Sequence, residues 1–86
     1  MLKDIDRIWI IGASTGIGRS LAQALGKLDK TIIASARSEE KLRSLCFETP
    51  SKCRPLQLDV TDDYAFGSAV EHLNAQYQSI DMIIVN

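Results

Sequence analysis

The chain lacks any apolar run longer than a few residues, far short of the roughly 20 needed to cross a bilayer. It also lacks an excess of one charge: ten basic and eleven acidic residues leave a net charge of −1. That balance offers no basic surface for nucleic acid or an anionic membrane, so neither is expected as a partner. The first ten residues, MLKDIDRIWI, mix both signs and contain no apolar h-region, so no signal peptide is expected. The default location is the cytoplasm. Cysteine is scarce, with only Cys46 and Cys53, seven positions apart and without a second metal-type pair. Two reduced bystander thiols are the expectation, with a disulfide or half of a zinc site as the alternatives. Eighty-six residues make one small domain at most, or part of a larger one.

What is present is an alternation of two periodicities. RIWII (residues 7–11) is a short β-rich run that stops at Gly12. Apolar residues then recur at Ile17, Leu21, Ala24, Leu25 and Leu28, a helical stripe. KTIIASA (30–36) reads as a second strand, and Ser38 caps a helix with Glu39 and Glu40 in its first turn and Leu42, Leu45 and Cys46 inside. TPSKC (49–53) breaks that helix, and RPLQLDV (54–60) is the third strand. Thr61, Asp62 and Asp63 open a third helix whose inner arc is Phe66, Ala69, Val70, Leu73 and Tyr77. IDMIIV (80–85) is the fourth strand.

The order β-α-β-α-β-α-β predicts an α/β fold with a parallel sheet. Right-handed crossovers and doubly wound topology give strand order 3-2-1-4, a partial Rossmann-type sheet. Two helices fall on one face and the third on the other. The winding reverses between strands 1 and 4, which opens a crevice at their carboxyl ends. A glycine-rich turn, Gly12-Ala13-Ser14-Thr15-Gly16-Ile17-Gly18, sits on it.

In that turn Gly12 lets the chain leave the strand sharply. Gly16 removes a Cβ where backbone must approach a pyrophosphate, and Gly18 lets the helix pack close to the sheet. The amides of the helix's first turn, with Ser14 and Thr15 hydroxyls, face the phosphate. The spacing G-x-x-x-G-x-G is neither G-x-G-x-x-G nor a Walker A loop. A purely structural turn is the alternative, and the flanking strand and helix favour the functional one.

IIGASTGIGRSLAQAL resembles the N-terminal T-G-x-x-x-G-x-G motif of the short-chain dehydrogenase/reductase family. SARSEEKL, LDVTD and IIVN resemble the family's later motifs in order and spacing: the segment after the second strand, the adenine pocket and the approach to Asn-Asn-Ala-Gly. Ile11 stands where the family has Thr, and Val85 where it has the first Asn. The resemblance implies that Asp59 accepts from the adenine amino group, that the Val60 amide meets a ring nitrogen, and that Asn86 lies beside the cofactor. A turn residue leading into the helix is the alternative for Asp59.

An NAD site places a carboxylate at the end of strand 2 for the ribose hydroxyls. Here Ala36 holds that position and Arg37 follows, a guanidinium suited to a 2′-phosphate. NADP(H) is therefore expected over NAD(H). The family's catalytic Tyr-x-x-x-Lys is lacking, because Ser68 and Asp81 stand four residues after Tyr64 and Tyr77. Residues 1–86 are thus expected to be the N-terminal cofactor-binding portion of a longer oxidoreductase acting on an alcohol or carbonyl substrate. Its catalytic half lies elsewhere, and oligomers are expected only of the full-length protein. The alternatives are a short, non-catalytic nucleotide-binding or regulatory module, and another nucleotide or S-adenosylmethionine fold.

Overall fold

A computed structural model describes residues 4–49, 52–77 and 79–86. The elements are β1 (Arg7–Ile11), α1 (Gly16–Gly26), β2 (Thr31–Ser35), α2 (Glu39–Glu48), β3 (Cys53–Pro55), α3 (Asp63–Gln76) and β4 (Met82–Val85). All strand pairs are parallel and the sheet order is β3-β2-β1-β4. Ile10 lies between Ala34 on β2 and Ile84 on β4.

Side chains alternate across a strand, so one sequence run feeds two cores. Ile8, Ile10, Ile32 and Ala34 pack with Ala22 and Leu25 of α1 and with Leu42 and Leu45 of α2. Trp9, Ile11 and Ile33 point the other way and pack with Leu58 and with Ala69 and Leu73 of α3. The central strands are buried on both faces, which is why they read as unbroken apolar runs. At the β4 edge the alternation is visible: Met82 and Ile84 are half-buried while Ile83 and Val85 are exposed.

Several local expectations shift. The buried arc of α1 is Gly18, Ala22, Leu25 and Gly26, whereas Ile17 is 78% exposed and Leu28 is also exposed. Both arcs have helical spacing, but the start of α1 lies so near the sheet that only the small-residue arc fits. β3 ends at Pro55 rather than continuing to Val60. Leu56 and Leu58 still donate their N–H groups to the Ala34 and Ala36 carbonyls at 2.8 and 2.9 Å. Because β2 itself ends at Ser35, these bonds form a strip of loop, and Asp59 stands on that loop. Within the start read at Thr61, Asp62 and Asp63, Asp62 is the residue that caps α3, accepting from the Ala65 N–H at 3.1 Å. Phe66 and Val70 remain partly exposed beside buried Ala69 and Leu73.

The cysteines are not two reduced thiols. Cys46 and Cys53 form a disulfide with their Cα atoms 4.9 Å apart. Cys46 follows Leu42 by one helical turn on the inner side of α2, and Cys53 opens the strand beneath it, so the crossover brings them within bridging reach. The break read at TPSKC includes Pro50 and Ser51, which lie outside the described residues.

Candidate functional site

β1 runs into Gly12, whose φ of +86° is a left-handed conformation that suits glycine. The N–H groups of Gly12 and Ala13 both donate to the Ser35 carbonyl, at 2.7 and 3.1 Å, pinning the turn to the end of β2. On the other side the Asn86 N–H donates to the Ile11 carbonyl at 2.9 Å and its side-chain amide to the Gly12 carbonyl at 3.2 Å. A Cβ at position 18 would strike the Gly12 carbonyl and come within 2.9 Å of Asn86 Nδ2. Gly18 is therefore the close-packing glycine of the turn. Gly16, at φ +61°, has open space where its Cβ would stand. Thr15 precedes α1 in extended conformation and its hydroxyl caps no backbone N–H. The first-turn amides of α1 have no partner inside the helix.

These pieces border a crevice of about 630 Å³ at the carboxyl end of the sheet. Gly12, Ser14 and Thr15 form one wall, and Arg37, Ser38 and Lys41 form the next. Asp59, Val60 and Thr61 close the far side, and Asn86 lies on the β4 side. Gly16, Ile17 and Gly18 stand beside this space in the first turn of α1 rather than lining it. Lys41 is the residue that reading the sequence missed. Its signal was present: it stands three residues after the Ser38 cap, in the first turn of the helix that opens at the crevice.

The two cations share the crevice with one carboxylate. Asp59 Oδ1 accepts from the Thr61 hydroxyl at 2.6 Å and the Thr61 N–H at 3.0 Å. Those bonds, with a smaller contribution from the Arg37 charge, hold the Asp59 carboxyl below its ordinary value of 3.8. Asp59 is thus both a turn residue leading into α3 and part of the crevice wall. The Gln57 side-chain amide donates to the Arg37 carbonyl at 2.8 Å, tying the Asp59 loop to the Arg37 turn. No carboxylate stands at the end of β2, where Ala36 is buried. Glu39 is engaged along α2 with Arg43, at 2.6 Å. Tyr64 and His72 are exposed on α3, and the Tyr77 ring lies 5.9 Å from the Arg7 guanidinium carbon. None of these three lines the crevice.

A family model described as short chain dehydrogenase matches residues 6–86. The chain is 40% identical over 82 residues to an NADPH-dependent pterin aldehyde reductase of Arabidopsis thaliana, covering 92% of this chain and 33% of that protein. It is 30% identical over 77 residues to the 3-oxoacyl-[acyl-carrier-protein] reductase FabG of Salmonella typhimurium, covering 90% and 32%. The chain therefore spans about a third of the length of these curated relatives. Among solved structures, a short-chain dehydrogenase from Streptomyces avermitilis superposes with a TM-score of 0.81 at 32% identity, over 91% of this chain and 29% of that one. A metagenomic short-chain oxidoreductase in complex with NADP shares the fold, with a TM-score of 0.85 at 24% identity, over 94% and 39%.

Proposed function

Since this chain belongs to the short-chain dehydrogenase family, whose members are oxidoreductases that bind a nicotinamide dinucleotide, we propose that its crevice holds NADP(H) in preference to NAD(H). The carrying observation is the charge at the end of β2: Arg37 and Lys41 line the space, and the position that would carry an acidic residue there is Ala36. A 2′-phosphate takes charge-assisted hydrogen bonds from such cations, whereas the ribose hydroxyls of NAD(H) would lack their usual acidic acceptor. The relative from Arabidopsis thaliana is NADPH-dependent by name, which supports the same choice.

The rest of the donor set fits the remaining parts of such a molecule. The free amides of Gly16, Ile17 and Gly18, with the Ser14 and Thr15 hydroxyls, would hold the pyrophosphate at the start of α1. Asp59, kept ionised, and the Val60 amide would meet the adenine edge. Asn86 would border the nicotinamide side. When bound, the nicotinamide supplies or accepts a hydride. The residues described above bind and orient; none is placed to move the matching proton, since neither tyrosine lines the crevice. In this reading residues 6–86 are the cofactor-binding part of an enzyme acting on an alcohol or carbonyl, and the proton-transfer groups come from polypeptide outside them. A cytoplasmic location belongs to the same reading.

The test is titration of the chain with NADPH and with NADH, followed by fluorescence of the reduced nicotinamide. Tighter binding of NADPH is expected. Equal affinities overturn the preference, and no binding of either by a folded sample overturns the site.

A further inference from the structure

The Cys46–Cys53 disulfide joins the two elements whose far ends build the phosphate and adenine side of the crevice. Cys46 lies in the last turns of α2, whose N-cap Ser38 and first-turn Lys41 stand on the crevice wall. Cys53 opens β3, which leads into the loop bearing Asp59 to Thr61. A covalent bond behind the site thus fixes the spacing of its two outer walls.

β3 is the outermost strand on its side, registered among the described residues on β2 through Cys53, Arg54 and Pro55, and Arg54 and Pro55 are exposed. Beyond it the loop is held by the Leu56 and Leu58 amides, by Gln57 and by the Leu58 side chain buried against Trp9, Ile11 and Ile33. α2 is secured independently by buried Leu42 and Leu45, and by the Arg19 guanidinium. Arg19 reaches Glu48 at 2.8 Å and the Lys41 carbonyl at 3.4 Å. Breaking the bond would leave each wall attached to the sheet, and to the other near the crevice through Gln57 and Leu58, while removing the covalent tie between their far ends. Both cysteines are half-buried, packed against the margin of the core rather than fully enclosed by it.

We propose that Cys46–Cys53 is a thiol-exchange site whose state sets the grip of the crevice on the adenosine phosphate end of its ligand. It rests on the reading of the crevice as an NADP(H) site. The reactant is a small dithiol. One of its thiolates attacks a sulfur of the bridge, the Cys46–Cys53 bond breaks, and a mixed disulfide forms. The displaced cysteine thiolate takes up a proton. The second thiol of the reagent then resolves the mixed disulfide, the reagent leaves as a cyclic disulfide, and the other cysteine is protonated. Two electrons and two protons pass from the dithiol to the chain. Oxidation by a disulfide reagent reverses each step.

The experiment compares oxidised chain, chain reduced with dithiothreitol, and the Cys46→Ser/Cys53→Ser variant. Mass shift on iodoacetamide treatment reports the bond, far-ultraviolet circular dichroism reports the fold, and NADPH titration reports the grip. Expected are two alkylated cysteines only after reduction, retained helical signal, and NADPH binding weakened about fivefold or more. Reoxidation should restore it, and the serine variant should behave as the reduced chain while ignoring the dithiol. Equal NADPH affinity in both states overturns this proposal and leaves the NADP(H) reading standing. Failure of both states to bind NADPH overturns that reading and this proposal with it. Loss of helical signal on reduction also overturns it, because the bond would then maintain the fold rather than adjust the site.

Discussion

Asn86 and Gly12 hold one another at the mouth of the crevice. The Asn86 side-chain amide donates to the Gly12 carbonyl at 3.2 Å, and a Cβ on Gly12 would come within 2.9 Å of the Asn86 carbonyl. The same two residues form the wall against which Gly18 packs. The glycine turn is therefore a three-part joint between β1, α1 and the end of β4, not an isolated loop.

From that joint, the three glycines should respond differently to alanine. Gly12→Ala meets both a left-handed φ and the Asn86 backbone, and Gly18→Ala drives a methyl into the Gly12 carbonyl. Each should cost about 1–3 kcal/mol, as overpacking does. Gly16→Ala has open space and bears only the left-handed conformation, about 1–2 kcal/mol. Urea unfolding followed by emission of Trp9 would rank them; a benign Gly18→Ala would contradict the close packing. NADPH titration of the Gly16 variant then separates folding from binding.

Arg37 and Lys41 should set cofactor choice. A hydrogen bond to a charged group contributes roughly 1.5–3 kcal/mol, so Arg37→Ala should lower NADPH-over-NADH selectivity about ten- to a hundredfold. Lys41→Ala should act in the same direction, and both variants should leave NADH affinity near that of the parent. Titration of each variant with both dinucleotides decides it. A parallel loss for NADH would show that the cations act on a phosphate common to both.

Asp59 and Asp81 give the chain an acid-sensitive seam. Asp81 Oδ2 accepts from the Asp6 and Arg7 N–H groups at 2.8 and 3.0 Å, tying the entry of β4 to the entry of β1. These bonds hold the Asp81 carboxyl below 3.8, as the Thr61 bonds do for Asp59. A carboxyl depressed in the folded state stabilises it at every pH above the unfolded value, and that stabilisation is lost as pH falls through the folded value. Stability from this source should be flat from pH 7 to about 5 and decline below the ordinary carboxyl value. Asp81→Asn should be less stable than the parent at pH 7, and the gap should narrow in acid. Chemical denaturation at a series of pH values measures it; a constant gap would rule out the ionised form as the cause.

Much of this was legible because the determinants are local and repetitive. Four apolar runs separated by helical stripes fixed the strand order, since parallel crossovers leave few topologies. Ser38 as a cap and Gly12 as a turn follow from their own backbone needs. Other features depended on distance in three dimensions. The choice between the Ile17 and Gly18 arcs of α1 turns on how near the helix lies to Gly12. The Cys46–Cys53 bond depends on where β3 passes under α2, and spacing along the chain does not encode that. Lys41 lay in plain view, but a lysine in a helix's first turn reads as solvated until Arg37 and Asp59 are placed around it. The end of β3 at Pro55 was hidden for a similar reason, because it follows from where β2 leaves the sheet.

Trp9 and Ser35 make a side-chain hydrogen bond inside the core. Trp9 Nε1 donates to Ser35 Oγ at 2.8 Å with both side chains buried, and the Phe66 ring packs 5.7 Å from the indole. Ser35→Ala leaves the indole N–H without an acceptor, which should cost about 1–3 kcal/mol. Trp9→Phe removes the donor and part of the packing, so alone it should cost at least as much. In the double variant no polar group is stranded, and its loss should fall short of the sum of the two. Circular dichroism during urea unfolding reads all four proteins on one scale, since the variants without tryptophan have no indole signal. Strict additivity would mean that the bond contributes nothing beyond its separate parts. The same strand end supplies the Ser35 carbonyl that anchors Gly12 and Ala13. Ser35→Ala keeps that carbonyl, so NADPH affinity should survive wherever the variant is folded.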